Sequence, residues 1–227
     1  ILEKQVTNFS KNMICPIPDD IELFTHFQKE PRGLMDAISC ATNSINNAFL
    51  VLLGDNLLIN DHKIPKDMHS DNGSNASLEL ISTYNKNSRP VVGIKSVQES
   101  SLSKYGVVKL DGEKIIGIVE KPSVKDAPSD FVLCGRYIFT PEMIDLMHTY
   151  TFEEYGELQS IVIQKHCMKE EGGLLSVKLN QYQWYDSGNP LSWIKSQVDH
   201  ALRRNDIGSD LNEWLAKRLV DENHEIN

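Results

Sequence analysis

The chain has 227 residues and carries 23 Lys and Arg against 32 Asp and Glu, a formal net charge of −9 at pH 7. Its 40% hydrophobic and 24% charged residues are those of an ordinary globular protein, which excludes disordered, collagen-like and coiled-coil readings. An excess of acid repels phosphate backbones and anionic lipid, so no nucleic acid and no membrane surface is expected as a partner.

Ile1 to Phe9 opens the chain with Leu2, Val6 and Phe9 at helical spacing, yet without an N-cap, so the chain reads as starting inside an element. Ile21–Phe27 reads as a half-buried strand and Gly33 to about Ser44 as a helix. Ala48–Leu53, the longest apolar run, is strand-sized and far short of the roughly 18 residues of a membrane helix. It is apolar on both faces and stops at Gly54-Asp55, the mark of a buried strand. Asn60–Asn75 is a polar surface loop, followed by a helix through about Tyr84 and a strand at Pro90–Val97. Tyr105–Leu110 and Lys114–Val119 flank Asp111-Gly112-Glu113, a hairpin with glycine where positive φ is needed. Phe131–Phe139 is a strand and Pro141–Met147 a helix. Glu157–Lys169 is a helix with Leu158, Ile161, Val162 and Cys167 inward, and Leu174–Leu179 a strand. Helices at Leu191–Arg203 and Ser209–Leu219 close the chain. Strands alternating with helices predict an α/β fold: a mixed, mostly parallel, Rossmann-like sheet covered by helices on both faces, interrupted by one small antiparallel ribbon. A single domain is expected over 1–227, with residues 191–222 as a C-terminal helical segment.

Ligands of open α/β sheets bind beyond the carboxyl ends of the strands. Asp55 closes the run Phe49–Gly54, where Gly54 allows close backbone approach and Asp55 offers hard oxygen ligands suited to Mg²⁺; equally, Asp55 caps a turn. Asp186, in Trp184-Tyr-Asp-Ser-Gly-Asn-Pro190, is either a helix N-cap or the second carboxylate of a phosphate-handling cation site. Glu120-Lys121-Pro122 ends the hairpin with opposite charges side by side. It is either a solvated strand end or a place where Glu120 accepts sugar hydroxyls and Lys121 meets a phosphate.

Other chemistries lack their residues. The histidines form neither His-x-His nor His-Glu-x-x-His, and there is no Gly-x-Ser-x-Gly. Cys15, Cys40, Cys134 and Cys167 make no Cys-x-x-Cys pair, which suits a reducing compartment, with the cytoplasm expected. Among 13 glycines there is no Gly-x-Gly and no Gly-x-x-x-x-Gly-Lys, so neither familiar phosphate-cradling loop is written in this chain.

Taken in succession, Leu2-Glu-Lys, Ile14-Cys-Pro, Gln28 through Gly33-Leu34, Tyr105-Gly-Val-Val108, Val119-Glu-Lys-Pro122, Gly135-Arg-Tyr137, Gly156-Glu-Leu-Gln159, Tyr185-Asp-Ser-Gly-Asn189 and Arg204–Gly208 with Trp214 resemble the bacterial UTP-glucose-1-phosphate uridylyltransferases from about Leu2 to Leu219. Tyr105–Val108 and Glu120–Pro122, with Leu53-Gly-Asp-Asn56, also resemble glucose-1-phosphate thymidylyltransferases. The resemblance implies that UTP and glucose 1-phosphate give UDP-glucose and pyrophosphate, that Asp55 and Asp186 hold Mg²⁺, and that these two with Lys121 carry catalysis. It further implies that Gln28 and Gly33 read uracil, that Gly106 and Glu120 meet glucose hydroxyls, that Lys121 meets the sugar phosphate, and that Gly135 belongs to the substrate site. A homo-oligomer, dimer or tetramer, is expected from the same source. A non-catalytic homologue acting as a binding subunit is the alternative of a different class. The family's first strand and Gly-rich loop are expected upstream of Ile1. Met35-Asp36 stand where the family has Gly-His, Met35 adding bulk near the base and Asp36 negative charge near the phosphates, and Val162 replaces a family Asp.

Overall fold

The computed structural model describes residues 21–60, 62, 74–170 and 172–225. The opening helix through Leu2, Val6 and Phe9, and most of the polar loop before Asn75, lie outside the described residues. Along the chain the elements run α1 (Leu34–Ser39), β1 (Phe49–Leu52), β2 (Asn56–Ile59), α2 (Asn75–Asn87), β3 (Val91–Ser96), β4 (Gly106–Asp111), β5 (Lys114–Glu120), β6 (Phe131–Phe139), α3 (Pro141–Thr149), α4 (Phe152–Tyr155), α5 (Ser160–Cys167), β7 (Leu174–Lys178), β8 (Gln183–Asp186), α6 (Pro190–Leu202) and α7 (Gly208–Glu225). The chain divides into two compact units, residues 24–54 with 74–182, and residues 1–23 with 55–73 and 183–227.

The first unit is built on a six-stranded mixed sheet in the order β1-β6-β3-β7-β5-β4, and a further pairing of β4 with β6, Val107 opposite Val132, curls it toward a barrel. This corrects the expected mostly parallel, Rossmann-like sheet. Only β3 with β7 is parallel among the described pairings, while β1–β6, β3–β6, β4–β5 and β5–β7 are antiparallel. The reason is in the connections. A parallel neighbour needs a crossover, usually helical, whereas β4 and β5 are joined by a tight turn at Gly112 and so pair antiparallel. The connection that does carry helices, α3 to α5, delivers β7, the strand that pairs parallel.

The hairpin is as expected, with Gly112 at φ 60° turning β4 into β5. Inside lie Val92 and Ile94 of β3, Val108 of β4, Ile115 and Ile118 of β5, Tyr137 and Phe139 of β6, and Leu174 of β7. Met35, Met143, Met147, Leu158, Ile163 and Cys167 cover them. The Tyr137 and Phe139 rings stack at 5.7 Å, and Phe49 meets Phe139 edge-on at 6.0 Å. Helix α2 ends where Ser88 takes φ 52° and returns its N–H to the Tyr84 carbonyl; Pro90 follows and cannot continue a helix.

Three further expectations change. Residues 21–27 form no strand, and Ile21, Leu23, Phe24 and Phe27 are exposed. Alternation alone does not make a strand when no sheet edge among the described residues receives it. β1 is a half-buried edge strand rather than a buried central one, being paired on one side, with β6. On α5 the buried positions are Ser160, Ile163, Gln164 and Cys167, while Ile161 and Val162 are only half-buried.

The second unit contains β2 and β8, paired antiparallel with Asn56 opposite Asp186 and Leu58 opposite Trp184, and the helices α6 and α7, which pack together. Neither strand was expected from the sequence. Among the described residues no helix is long and apolar enough to cross a membrane.

Candidate active site

The second unit places the two predicted carboxylates together. Gly54-Asp55 turns the chain from β1 into β2, and Asp186 is the last residue of β8. Ser187 N–H donates to the Asp55 backbone carbonyl at 2.8 Å, which carries the β2–β8 ladder one step further and brings the strand ends side by side. A Cβ added to Gly188 would lie 3.1 Å from Asp55 Oδ2 and 3.3 Å from Asp186 Oδ1. Both carboxylates therefore border one point that only a glycine leaves open.

The capping alternative for Asp186 does not hold. The N-cap of α6 is Asn189, whose side chain accepts from Ser192 N–H at 2.9 Å, with Pro190 pre-set for the first turn. Asp186 Oδ1 instead accepts from Gly188 N–H at 3.3 Å. Asp55 Oδ1 accepts from Asn56 Nδ2 at 2.8 Å, and Asn56 Oδ1 accepts from Trp184 Nε1 at 2.8 Å. Asn56 and Trp184 thus orient Asp55, and sequence reading missed both. The signal was the unassigned Asn after the Asp, on a strand that went unrecognised. Among the described residues no group of three or more His, Cys, Asp or Glu side chains is arranged to hold a metal. A pair of carboxylates is what Mg²⁺ commonly takes from a protein when water and phosphate fill its remaining positions.

The first unit holds the remaining predicted residues in two clusters. Gln28 Nε2 donates to the Gly33 carbonyl at 3.2 Å and to Asp36 Oδ2 at 2.6 Å. Gly33 has φ 119°, and a Cβ there would fall 2.5 Å from the Leu158 carbonyl oxygen, so no side chain fits. Met35 N–H donates to that same carbonyl at 2.8 Å, and Leu158 N–H to the Arg32 carbonyl at 2.7 Å. This ladder pins residues 32–35 to the Gly156–Gln159 segment. Met35 is wholly buried in the core, which corrects the expectation that it adds bulk near a base. Asp36 does border open space, a cavity of about 360 Å³ lined also by Phe27, Lys29, Glu30, Arg32 and Cys40. That volume lies within the range of small-molecule sites. Phe27, Lys29 and Arg32 were not singled out from the sequence. Lys29 and Arg32 flank Gln28 closely enough to have served as a signal.

The other cluster sits at the open end of the hairpin. Gly106 pairs with Glu120 across β4 and β5, and a Cβ at Gly106 would meet Glu120 Oε2 at 3.1 Å and Leu133 Cδ1 at 3.2 Å. Lys121 follows with φ 45°, its N–H donating to the Tyr105 carbonyl at 3.0 Å. A left-handed lysine directly before Pro122 is doubly unfavourable, because a residue preceding proline is pushed toward extended backbone. Such strain is characteristic of functional positions. Gly135, buried in β6 at φ 68°, accepts from Leu53 N–H at 3.0 Å where the β3–β6 register shifts; what it shows is a role in the sheet.

Among the described residues the cysteines carry no catalytic geometry. Cys40, Cys134 and Cys167 are free thiols, with burial pushing Cys134 up to about 12 and Cys167 up to about 11.

The nucleotidyl transferase family matches residues 2–201. A curated relative from Streptococcus pyogenes, a UTP–glucose-1-phosphate uridylyltransferase, is 29% identical over 95% of this chain and 71% of its own length. A protein of the same name from Bacillus subtilis is 29% identical over 88% of this chain and 64% of its own. Among solved structures, a UDP-glucose pyrophosphorylase from Acinetobacter baumannii superposes with a TM-score of 0.70 over 95% of this chain and 73% of that one, at 23% identity. With most of its length matched by one family, the chain belongs to the nucleotidyl transferases.

Proposed function

We propose that this protein is a UTP–glucose-1-phosphate uridylyltransferase, joining the two substrates to give UDP-glucose and pyrophosphate. The observation that carries the reading is the pair of carboxylates, Asp55 and Asp186, bordering the bare Cα of Gly188. The names of the uridylyltransferase relatives support the same substrates and do not favour the thymidylyl alternative.

The reaction is an in-line attack by a sugar-phosphate oxygen on the α-phosphorus of UTP, which asks a protein for alignment and positive charge rather than a covalent nucleophile. Asp55 and Asp186 would hold Mg²⁺, which supplies charge neutralisation to phosphate oxygens. In this reading Lys121 brings its ammonium to the sugar phosphate as a point charge. Glu120 accepts glucose hydroxyls across the bare backbone of Gly106. Gln28 reads the base: both its N–H groups are spent on Gly33 and Asp36, which leaves Oε1 as an acceptor. Uracil presents an N–H at N3 and satisfies it; cytosine presents a lone pair there and does not.

The test is Mg²⁺-dependent pyrophosphate release by the full-length protein with UTP and glucose 1-phosphate, run against dTTP and CTP. Release with UTP in preference to both is expected. No release would leave a binding subunit as the reading, and a preference for dTTP would make the protein a thymidylyltransferase.

A further inference from the structure

A cavity of about 440 Å³ lies at one end of the sheet of the first unit, lined among others by Arg89, Pro90, Glu142, Met143, Leu146 and Cys167. Three links meet there. Arg89 and Pro90 lead from α2 into β3, Thr140 leads from β6 into α3, and Gly173 leads into β7, while Val91 pairs with both Ile138 and Leu175. The Glu120–Lys121 cluster is at the opposite end of the sheet, because β5 starts with Lys114 beside Leu175 and runs away from it. The cavity also shares no lining residue with the one beside Asp36. It is therefore no part of the proposed substrate site.

Its charged groups are of both signs. A Cβ at Gly172, where φ is 83°, would fall 2.8 Å from Arg89 Nε and 2.9 Å from Arg89 Cδ, so bare backbone makes the bed of this side chain. Arg89 Nε donates to the Gly173 carbonyl at 3.4 Å, the one hydrogen bond of the guanidinium among the described residues. Both Nη groups are left for a ligand, in the planar fork that grips a carboxylate. Glu142, in the first turn of α3, is ionised: hydrogen bonding to the Thr140 side chain, foremost, holds its carboxyl below the usual range, and Arg89 is near enough to add its charge. Glu170 is already engaged, by His166 at 3.2 Å.

A simple anion would be drawn to Arg89 and repelled by Glu142, and a simple cation the reverse; a molecule that carries both charges satisfies both. Pro90, Met143, Leu146 and Cys167 make the apolar share of the wall. Two of them carry sulfur, which makes favourable contacts with aromatic rings. The volume lies within the range of small-molecule sites and leaves room for a ring.

We propose that this cavity binds a free aromatic α-amino acid, with its carboxylate on Arg89, its ammonium on Glu142 and its ring among Pro90, Met143, Leu146 and Cys167. The inference is independent of the uridylyl reading.

The test is isothermal titration calorimetry of the intact protein with L-phenylalanine, beside 3-phenylpropionate and 2-phenylethylamine, each of which keeps the ring and only one of the charges. L-phenylalanine is expected to bind with a Kd below about 1 mM, and each one-charge analogue about tenfold or more weakly. Arg89→Met keeps the stem that lies on Gly172, and Glu142→Gln changes an exposed position. Each is expected to raise the Kd for L-phenylalanine about tenfold or more with unchanged far-ultraviolet circular dichroism, and the second decides the matter if the first fails to fold. No binding of L-phenylalanine at about 10 mM would overturn the proposal. Equal binding of 3-phenylpropionate would overturn it by making the cavity an anion site, and equal binding of 2-phenylethylamine by making it a cation site. Binding that neither substitution weakens would overturn it too, by placing the ligand elsewhere.

Discussion

The carboxylates of Asp55 and Asp186 border one point in space, at 3.1 and 3.3 Å from where a Cβ of Gly188 would stand. The backbone at Gly188 is outside the left-handed region, so alanine is tolerated there conformationally and the substitution tests the space alone. Gly188→Ala is expected to leave the thermal midpoint within a degree or two, while the Mg²⁺ concentration for half-maximal turnover rises about tenfold or more. An unchanged Mg²⁺ dependence would mean that no cation sits between these carboxylates.

Removing either carboxylate is a sharper form of the same test. Asp55→Ala and Asp186→Ala are each expected to lower turnover by about 10²- to 10³-fold, the scale of losing a main source of transition-state charge stabilisation. Neither residue is buried in the core, so the folded fraction should be unchanged. Turnover within threefold of wild type in one variant would remove that residue from the cation site.

How much of this was legible in the sequence follows from the range of each signal. The hairpin, β6 and the helices after Pro141 and Pro190 were readable because their markers are local: Asp111-Gly112-Glu113, a nine-residue stretch rich in apolar and aromatic residues and broken only by Gly135-Arg136, a proline at a first helical turn. Strand direction was not local. β6 lies antiparallel to both β3 and β4, and an alternating string of strands and helices does not state which connections cross over. β2 and β8 are four residues each, too short to show a period. Missing them hid the register that brings Asp186 to Asp55, although the two aspartates had been read as a pair sharing one cation. Asp36 was read as a stray negative charge, because its hydrogen bond to Gln28 spans eight residues of irregular chain.

Lys121 separates strain from chemistry. At φ 45° before a proline it holds a conformation that glycine adopts freely. Lys121→Gly is therefore expected to keep or raise the thermal midpoint, relief of about 1 kcal/mol of strain offsetting the added freedom of the unfolded chain. Turnover should fall by about 10²-fold or more, with KM for glucose 1-phosphate rising further than KM for UTP. A variant as active as wild type would show the ammonium to be solvated and idle.

Asp36 fixes the orientation of an amide. While it accepts one N–H of Gln28 at 2.6 Å, the amide oxygen is turned outward and cytosine meets a mismatched acceptor. Asp36→Ala frees the amide to flip, so the ratio of kcat/KM for UTP over CTP is expected to fall by about tenfold or more, the size of one mispaired hydrogen bond. Asp36→Asn still offers an acceptor and should keep most of the preference. Equal ratios in wild type and Asp36→Ala would take Gln28 out of base reading.

Alkaline pH should find the core through its thiols. Burial pushes Cys134 up to about 12, foremost, and Cys167 up to about 11. The folded state thus holds these protons more tightly than the unfolded chain does, so their contribution to stability is fully present below about pH 9 and is lost as pH rises from there through the folded values. The thermal midpoint is expected to fall between pH 9 and 11. Cys134→Ala should begin from a lower midpoint at pH 7, because it leaves a cavity, and then decline less steeply. The decline will not vanish, since burial and Asp199 also raise Tyr185. At pH 8 a thiol reagent should modify the half-buried Cys40 before Cys134 or Cys167, which react only on unfolding. A Cys134→Ala midpoint that tracks wild type in parallel across the whole alkaline range would show that the Cys134 thiol titrates alike in both states.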